Sequence, residues 1–197
     1  SEPVWAPLEV QYADFALWQR EVLGAEDDPD STVSRQLAFW RENLADLPDQ
    51  LDLPLDHPRP AQQSFRGDRI EFTIGAELHA GLRDLARTRN ATVFMAVHAA
   101  FAALLARISG SSDIAVGTPI AGRAERATED IIGMFVNTLV LRLQVEGDAS
   151  FAELLSAARE NDLQAFANAD VPFERLVEVL NPARSTARHP LLQVGFS

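Results

Sequence analysis

The chain has 197 residues, 47% of them hydrophobic, enough to build one large domain or two small lobes around a core. Its 29 acidic and 17 basic side chains leave a formal charge of −12, and with the basic residues dispersed along the chain a polyanion such as nucleic acid is excluded as a partner. No cysteine is present, so a disulfide framework, a thiolate metal site and a cysteine nucleophile fall together, and a reducing cytoplasm is the expected compartment.

No apolar stretch approaches the ~18 residues that span a bilayer, and no basic then apolar leader is visible, so no membrane partner is expected. The sequence opens on Ser1-Glu2-Pro3 without Met and closes on the apolar run Leu191 to Phe196, which reads as a segment cut from a longer protein.

In chain order, Val10 to Leu23 sets Tyr12, Phe15, Trp18 and Val22 near helical spacing, and Gly24 follows as a stop. After an acidic loop (Glu26 to Asp30), Ser31 or Thr32 can cap a helix carrying Leu37, Phe39, Trp40 and Leu44. The run Leu53 to Pro60 holds three prolines and cannot be helical; it reads as an extended crossing between two lobes. Ile70, Phe72 and Ile74 alternate with polar residues, which predicts a strand. Leu78, Leu82 and Leu85 stripe the next helix. After Asn90-Ala91-Thr92, Phe94, Val97, Phe101, Leu104, Leu105 and Ile108 stripe a longer one that Gly110 can end.

A short strand from Ile114 to Ile120 leads into a polar loop, and a second is predicted from Val136 to Val145. Ser150 with Glu153 forms a capping-box pattern before a helix through Phe166. Pro172 fits the first turn of a last helix ending at Leu180, and a closing strand is expected near Leu191. The sum is an α/β (α+β) two-layer sandwich, with no internal repeat.

Four short motifs go further. Tyr12-Ala13-Asp14-Phe15-Ala16-Leu17-Trp18 resembles YxDFAxW, and Ile132-Gly133-Met134-Phe135-Val136-Asn137-Thr138-Leu139 with Arg142 resembles IGxFVNTxxxR. Asn168 to Glu174 resembles [HN]QDxPFE, and Arg184 to Leu191 resembles RDxSRNPL. Together, in this order, they identify the chain as similar to the condensation domains of nonribosomal peptide synthetases. The departures are Ala169 for Gln, Ser185 for Asp and Ala187 for Ser.

The resemblance implies a partial chloramphenicol-acetyltransferase-like fold, with residues 1–60 as the tail of a first lobe plus the crossing, and 61–197 as the first part of a second. It implies amide-bond formation between thioesters carried on the phosphopantetheine arms of carrier protein domains, beside an adenylation domain of the same synthetase. No directly bound cofactor and no metal are implied. The histidine of the family's HHxxxDG motif belongs upstream, so no catalytic residue is assigned within the chain, and residues 1–197 alone are expected to be inactive. The alternatives are an epimerisation or heterocyclisation domain, a non-catalytic docking module for carrier proteins and, on fold analogy alone, a coenzyme A acyltransferase.

For single residues, the resemblance makes Arg142 a brace for the Asp of HHxxxDG; the plain alternative is an exposed arginine on a strand. Asn137 either orients a substrate amide and shapes the tunnel or simply bonds backbone at a strand entry. Being five apart, Asn137 and Arg142 fall on opposite faces of a regular strand, so one tunnel holds both only if a bulge intervenes. Tyr12, Asp14, Trp18 and Gly133 read as structural, with Asp14 pairing locally. Asp170 reads as a helix cap ahead of Pro172 and Glu174. Arg184, Arg188 and His189 either line the approach of an acidic partner or sit in a solvated loop. His98 reads as a core residue, His79 as exposed, and His57 as part of the crossing.

Overall fold

The computed structural model describes residues 7–62, 64–123, 125–182, 185 and 188–197. Its elements in chain order are α1 (Tyr12–Leu23), α2 (Thr32–Asn43), α3 (Ala76–Thr88), α4 (Val93–Ser109), β1 (Asp113–Ile120), a 3-10 turn (Arg126–Thr128), β2 (Asn137–Gln144), α5 (Phe151–Ala167) and α6 (Phe173–Leu180).

Three helices begin where a hydroxyl can close the first turn. Ser31, Thr92 and Ser150 each accept a hydrogen bond from the backbone N–H three residues on, and Glu153 returns a carboxylate to the Ser150 N–H. Glycine ends two helices: Gly24 after α1 at φ 78° and Gly110 after α4 at φ 71°, where a side chain would be strained. α1 starts at Tyr12 because the Asp14 carboxylate accepts from the Gln11 N–H at 2.8 Å.

β1 and β2 form an antiparallel ribbon in unbroken register from Asp113↔Gln144 to Ile120↔Asn137. α4 and α5 pack on each other and against this ribbon. Ile114, Val116, Leu139, Leu141 and Leu143 are buried with Leu155, Ala158, Ala99 and Ala102 in one core. α2 contributes Leu37 and Trp40 to the same core, so residues before and after the proline-rich crossing share it. The Trp40 indole donates to the Asn168 carbonyl at 2.8 Å, which satisfies its one polar group while its ring is fully buried.

Three expectations are corrected. The alternation of Ile70, Phe72 and Ile74 does not become a strand: the segment is unpaired, with Ile70 89% and Phe72 84% exposed, because no backbone among the described residues lies beside it. The closing strand is a single parallel bridge of Gly195 to Gly117, made by Gly117 N–H to Val194 O (2.9 Å) and Phe196 N–H to Gly117 O (2.8 Å). Pro172 stands at the cap of α6, one residue ahead of its first turn. Among the described residues no single helix is long and apolar enough to cross a membrane.

Candidate functional site

Three of the four motifs meet in space. Tyr12, the first residue of α1, donates its hydroxyl to the Met134 carbonyl at 2.8 Å. Its ring stands edge-on to Phe135 at 5.3 Å between centroids, and Phe15 packs on the same ring at 4.8 Å. Gly133 is required by this contact: a Cβ there would come within 2.1 Å of the Tyr12 ring. The first and second motifs are thus two halves of one aromatic joint.

The second and third are joined by Asn137. Its Nδ2 donates to the carbonyls of Ala169 and Val171, each at 2.9 Å, while Oδ1 accepts from Thr138 N–H (2.8 Å) and Phe173 N–H (2.9 Å). Phe173 opens α6, so the helix is capped from β2 across space. Asp170, expected as that cap, instead accepts from the Gln36 side chain at 2.7 Å, and Gln36 Oε1 takes the N–H groups of Asp170 and Val171. The correction has a simple cause: Asp170 lies too far before Phe173, and a better-placed amide occupies the helix end. Only Asn, with two donors and an acceptor on one short arm, fits all four bonds. Asn137→Asp replaces both donors with oxygen facing two carbonyls, and we expect a loss of about 3 kcal/mol in urea unfolding.

Arg142 lies on the other face of β2. Its guanidinium forks onto Asp113 of β1 (Nε–Oδ1 2.9 Å, Nη2–Oδ2 2.6 Å), and Nη1 donates to the Asn43 and Ala45 carbonyls at 2.8 and 2.7 Å. It therefore holds the C-terminal end of α2 on the ribbon and is only 16% exposed, unlike a solvated strand arginine. The hydrogen-bonded Asp113 carboxylate raises its pKa above the ordinary arginine value. With β1 and β2 in unbroken register, no bulge brings Asn137 and Arg142 into one site.

The other motif residues are peripheral. Asp14 is spent on the α1 cap, and Trp18 is exposed beside Phe15. Arg188 donates to the Gln50 side chain, and the His189 ring lies over Phe173 at 5.3 Å. Arg184 lies outside the described residues.

Sequence reading missed the partners, which lie far away in the chain. Asp113 and Gln36 gave no signal. Arg123 closes the neck of the loop between β1 and β2, with its guanidinium carbon 4.0 Å above the Phe135 ring. His98 of α4 has a partner in Asp162 of α5: both are fully buried, and Nδ1 lies 3.0 Å from Oδ1 and 3.2 Å from Oδ2. Sealed from solvent, that pair cannot meet a substrate. His57, His79 and His189 are exposed. Among the described residues there is no cluster of metal-ligating side chains.

The comparisons agree on one family. Residues 2–197 match the condensation domain family. A dimodular nonribosomal peptide synthase of Bacillus subtilis (strain 168) is 57% identical over 192 residues, and an isonitrile lipopeptide synthase of Mycobacterium tuberculosis is 50% identical over the same length. Each alignment covers 98% of this chain but 8% of the synthase, so the chain spans a small part of such proteins. The X-domain from teicoplanin biosynthesis, solved in complex with OxyB, superposes with a TM-score of 0.92 at 34% identity, over 98% of this chain and 42% of that one. A four-domain nonribosomal peptide synthetase bound to AMP and glycine superposes at 0.80 with 30% identity, over 86% and 13%. With its motifs meeting as described and the family matched almost from end to end, the chain belongs to the condensation domains of nonribosomal peptide synthetases.

Proposed function

We propose that the chain forms part of a domain joining two thioester-borne acyl groups through an amide bond, in the cytoplasm. The acceptor amine attacks the donor thioester carbonyl; the new C–N bond forms, the C–S bond breaks, and the carrier thiol leaves with a proton. Both substrates arrive on phosphopantetheine arms of carrier domains, next to an adenylation domain of the same synthetase. The base is the second histidine of an HHxxxDG segment upstream of Ser1, so residues 1–197 alone do not carry the reaction.

In this reading residues 1–60 end the first chloramphenicol-acetyltransferase-like lobe and 61–197 begin the second. The chain's own part is positioning, which dominates catalysis when two bound groups must meet. Asn137 shapes the tunnel wall indirectly, by fixing the start of β2 to the turn before α6. Arg142 supports the site by fixing α2, and the guanidinium N–H that has no partner among the described residues is offered to the HHxxxDG aspartate.

The observation that carries the proposal is the contact network of the Tyr12, Gly133–Asn137 and Asp170–Phe173 segments. The test supplies the complete domain with loaded donor and acceptor carriers and weighs the acceptor arm by mass spectrometry. A dipeptidyl mass is expected; carrier binding without it would contradict the proposal. That second outcome is a reading in its own right, a docking module, favoured by the similarity to an X-domain found in complex with another protein.

A further inference from the structure

We propose that Arg123 is a positioning residue for the condensation step, acting as a clamp on the loop that enters β2; this rests on the amide-forming reading above. Its Nη1 donates to the Thr128 and Glu129 carbonyls, and Nη2 to the Ile131 carbonyl at 2.9 Å. These carbonyls belong to the 3-10 turn and the residues that leave it, and the guanidinium carbon lies over the Phe135 ring at 4.0 Å from its centroid.

Two further contacts make the neck tight. Gly122 has φ 63°, and a Cβ on it would fall 1.9 Å from the Phe135 carbonyl oxygen, so the two ends of the loop touch backbone to backbone. The Phe135 ring is also in contact with Tyr12 and Phe15 of α1, at 5.3 and 4.8 Å between centroids. Arg123 therefore bridges the turn and the aromatic joint, and the segment it fixes leads directly into the start of β2, the part that Asn137 holds in the reading above. That segment turns Ile132, Met134 and Val136 outward, 94%, 68% and 53% exposed, while Ile131 and Phe135 are buried. Its conformation is thus set by the clamp and the Phe135 anchor, with no packing over the outward residues among those described.

Lysine cannot replace this clamp. A point charge on a flexible stem can serve one carbonyl or the ring, whereas the planar guanidinium serves the turn and the ring together.

The test compares Arg123→Ala and Arg123→Lys in the complete domain with loaded carriers, reading kcat, KM for the donor carrier, and Tm. We expect kcat to fall about 100-fold, as for a displacement of about 1 Å, with KM unchanged and no rescue by lysine. If the alanine variant fails to fold, the lysine variant, which keeps the charge, decides. Wild-type kcat in either folded variant would overturn the clamp while leaving amide formation intact. A wild-type domain that makes no dipeptide would remove the amide-forming reading, and the clamp's role in it would fall too.

Discussion

Asp162→Ala should lower the stability of the chain by about 3–5 kcal/mol, the cost of stripping one partner from a buried pair. His98 and Asp162 are both fully buried and join α4 to α5 across the core. His98 Nε2 has no partner among the described residues, and only Nδ1 is satisfied, by Asp162 Oδ2. Removing the carboxylate leaves both ring nitrogens bare in an apolar setting beside Phe94 and Phe196. The double change His98→Leu with Asp162→Leu removes both demands at once, and should recover most of the loss or exceed the wild type. Urea unfolding at constant m distinguishes the cases. If the double variant is as unstable as the single, the pair's polar character is not what the core depends on.

Gly122→Ala is the second large effect, expected at about 2–5 kcal/mol. About 1–2 kcal/mol comes from placing a Cβ at φ 63°, and about 1–3 from overpacking against the Phe135 carbonyl. That carbonyl cannot step aside, because the Phe135 ring is held between Arg123, Tyr12 and Phe15. Gly110 provides the control: its φ is 71°, but a Cβ there would meet open space. Gly110→Ala should therefore show only the backbone share. Equal losses at the two positions in thermal unfolding would show that the neck of the loop is looser than its geometry implies.

What was legible in the sequence was local. The Ser31 and Ser150 caps and the Gly110 stop depend on residues three or four apart, and their physics is complete within a turn. The α4 stripe does not follow from spacing alone, since Met95, Ala96, Ala99 and Ala102 are buried while Leu104 and Ile108 are exposed. The Ile70–Ile74 segment shows where that logic stops: alternation prepares a strand, but a strand also needs a neighbour to pair with. Leu191 to Phe196 shows the same in part, since one parallel bridge at Gly195 is all the pairing β1 provides.

The site was legible as a family signature and not as geometry. The motifs named Tyr12, Gly133 and Asn137, but not that Tyr12 fills the space a side chain at Gly133 would need, or that Asn137 caps α6 from β2. Asp170 was misassigned because an aspartate just before Pro-Phe-Glu is a strong local cap signal. Asn137 of β2 takes the Phe173 N–H instead, and Gln36, 134 residues away, engages the Asp170 carboxylate. Arg142 looked like an exposed arginine or a brace for an absent loop. Its fork onto Asp113 follows from strand register, which pairs Ala115 with Arg142 and places Asp113 within reach.

The most direct test of the account is the dependence of product on the upstream histidine. The complete domain and its variant with the second histidine of HHxxxDG changed to alanine would be given the same loaded donor and acceptor carriers. Mass spectrometry of the acceptor arm would then follow dipeptide formation in a single turnover. The account predicts a dipeptidyl arm with the intact domain and its loss in the alanine variant, with carrier binding retained. An acceptor arm left unchanged by the intact domain, or extended equally by both proteins, would contradict it.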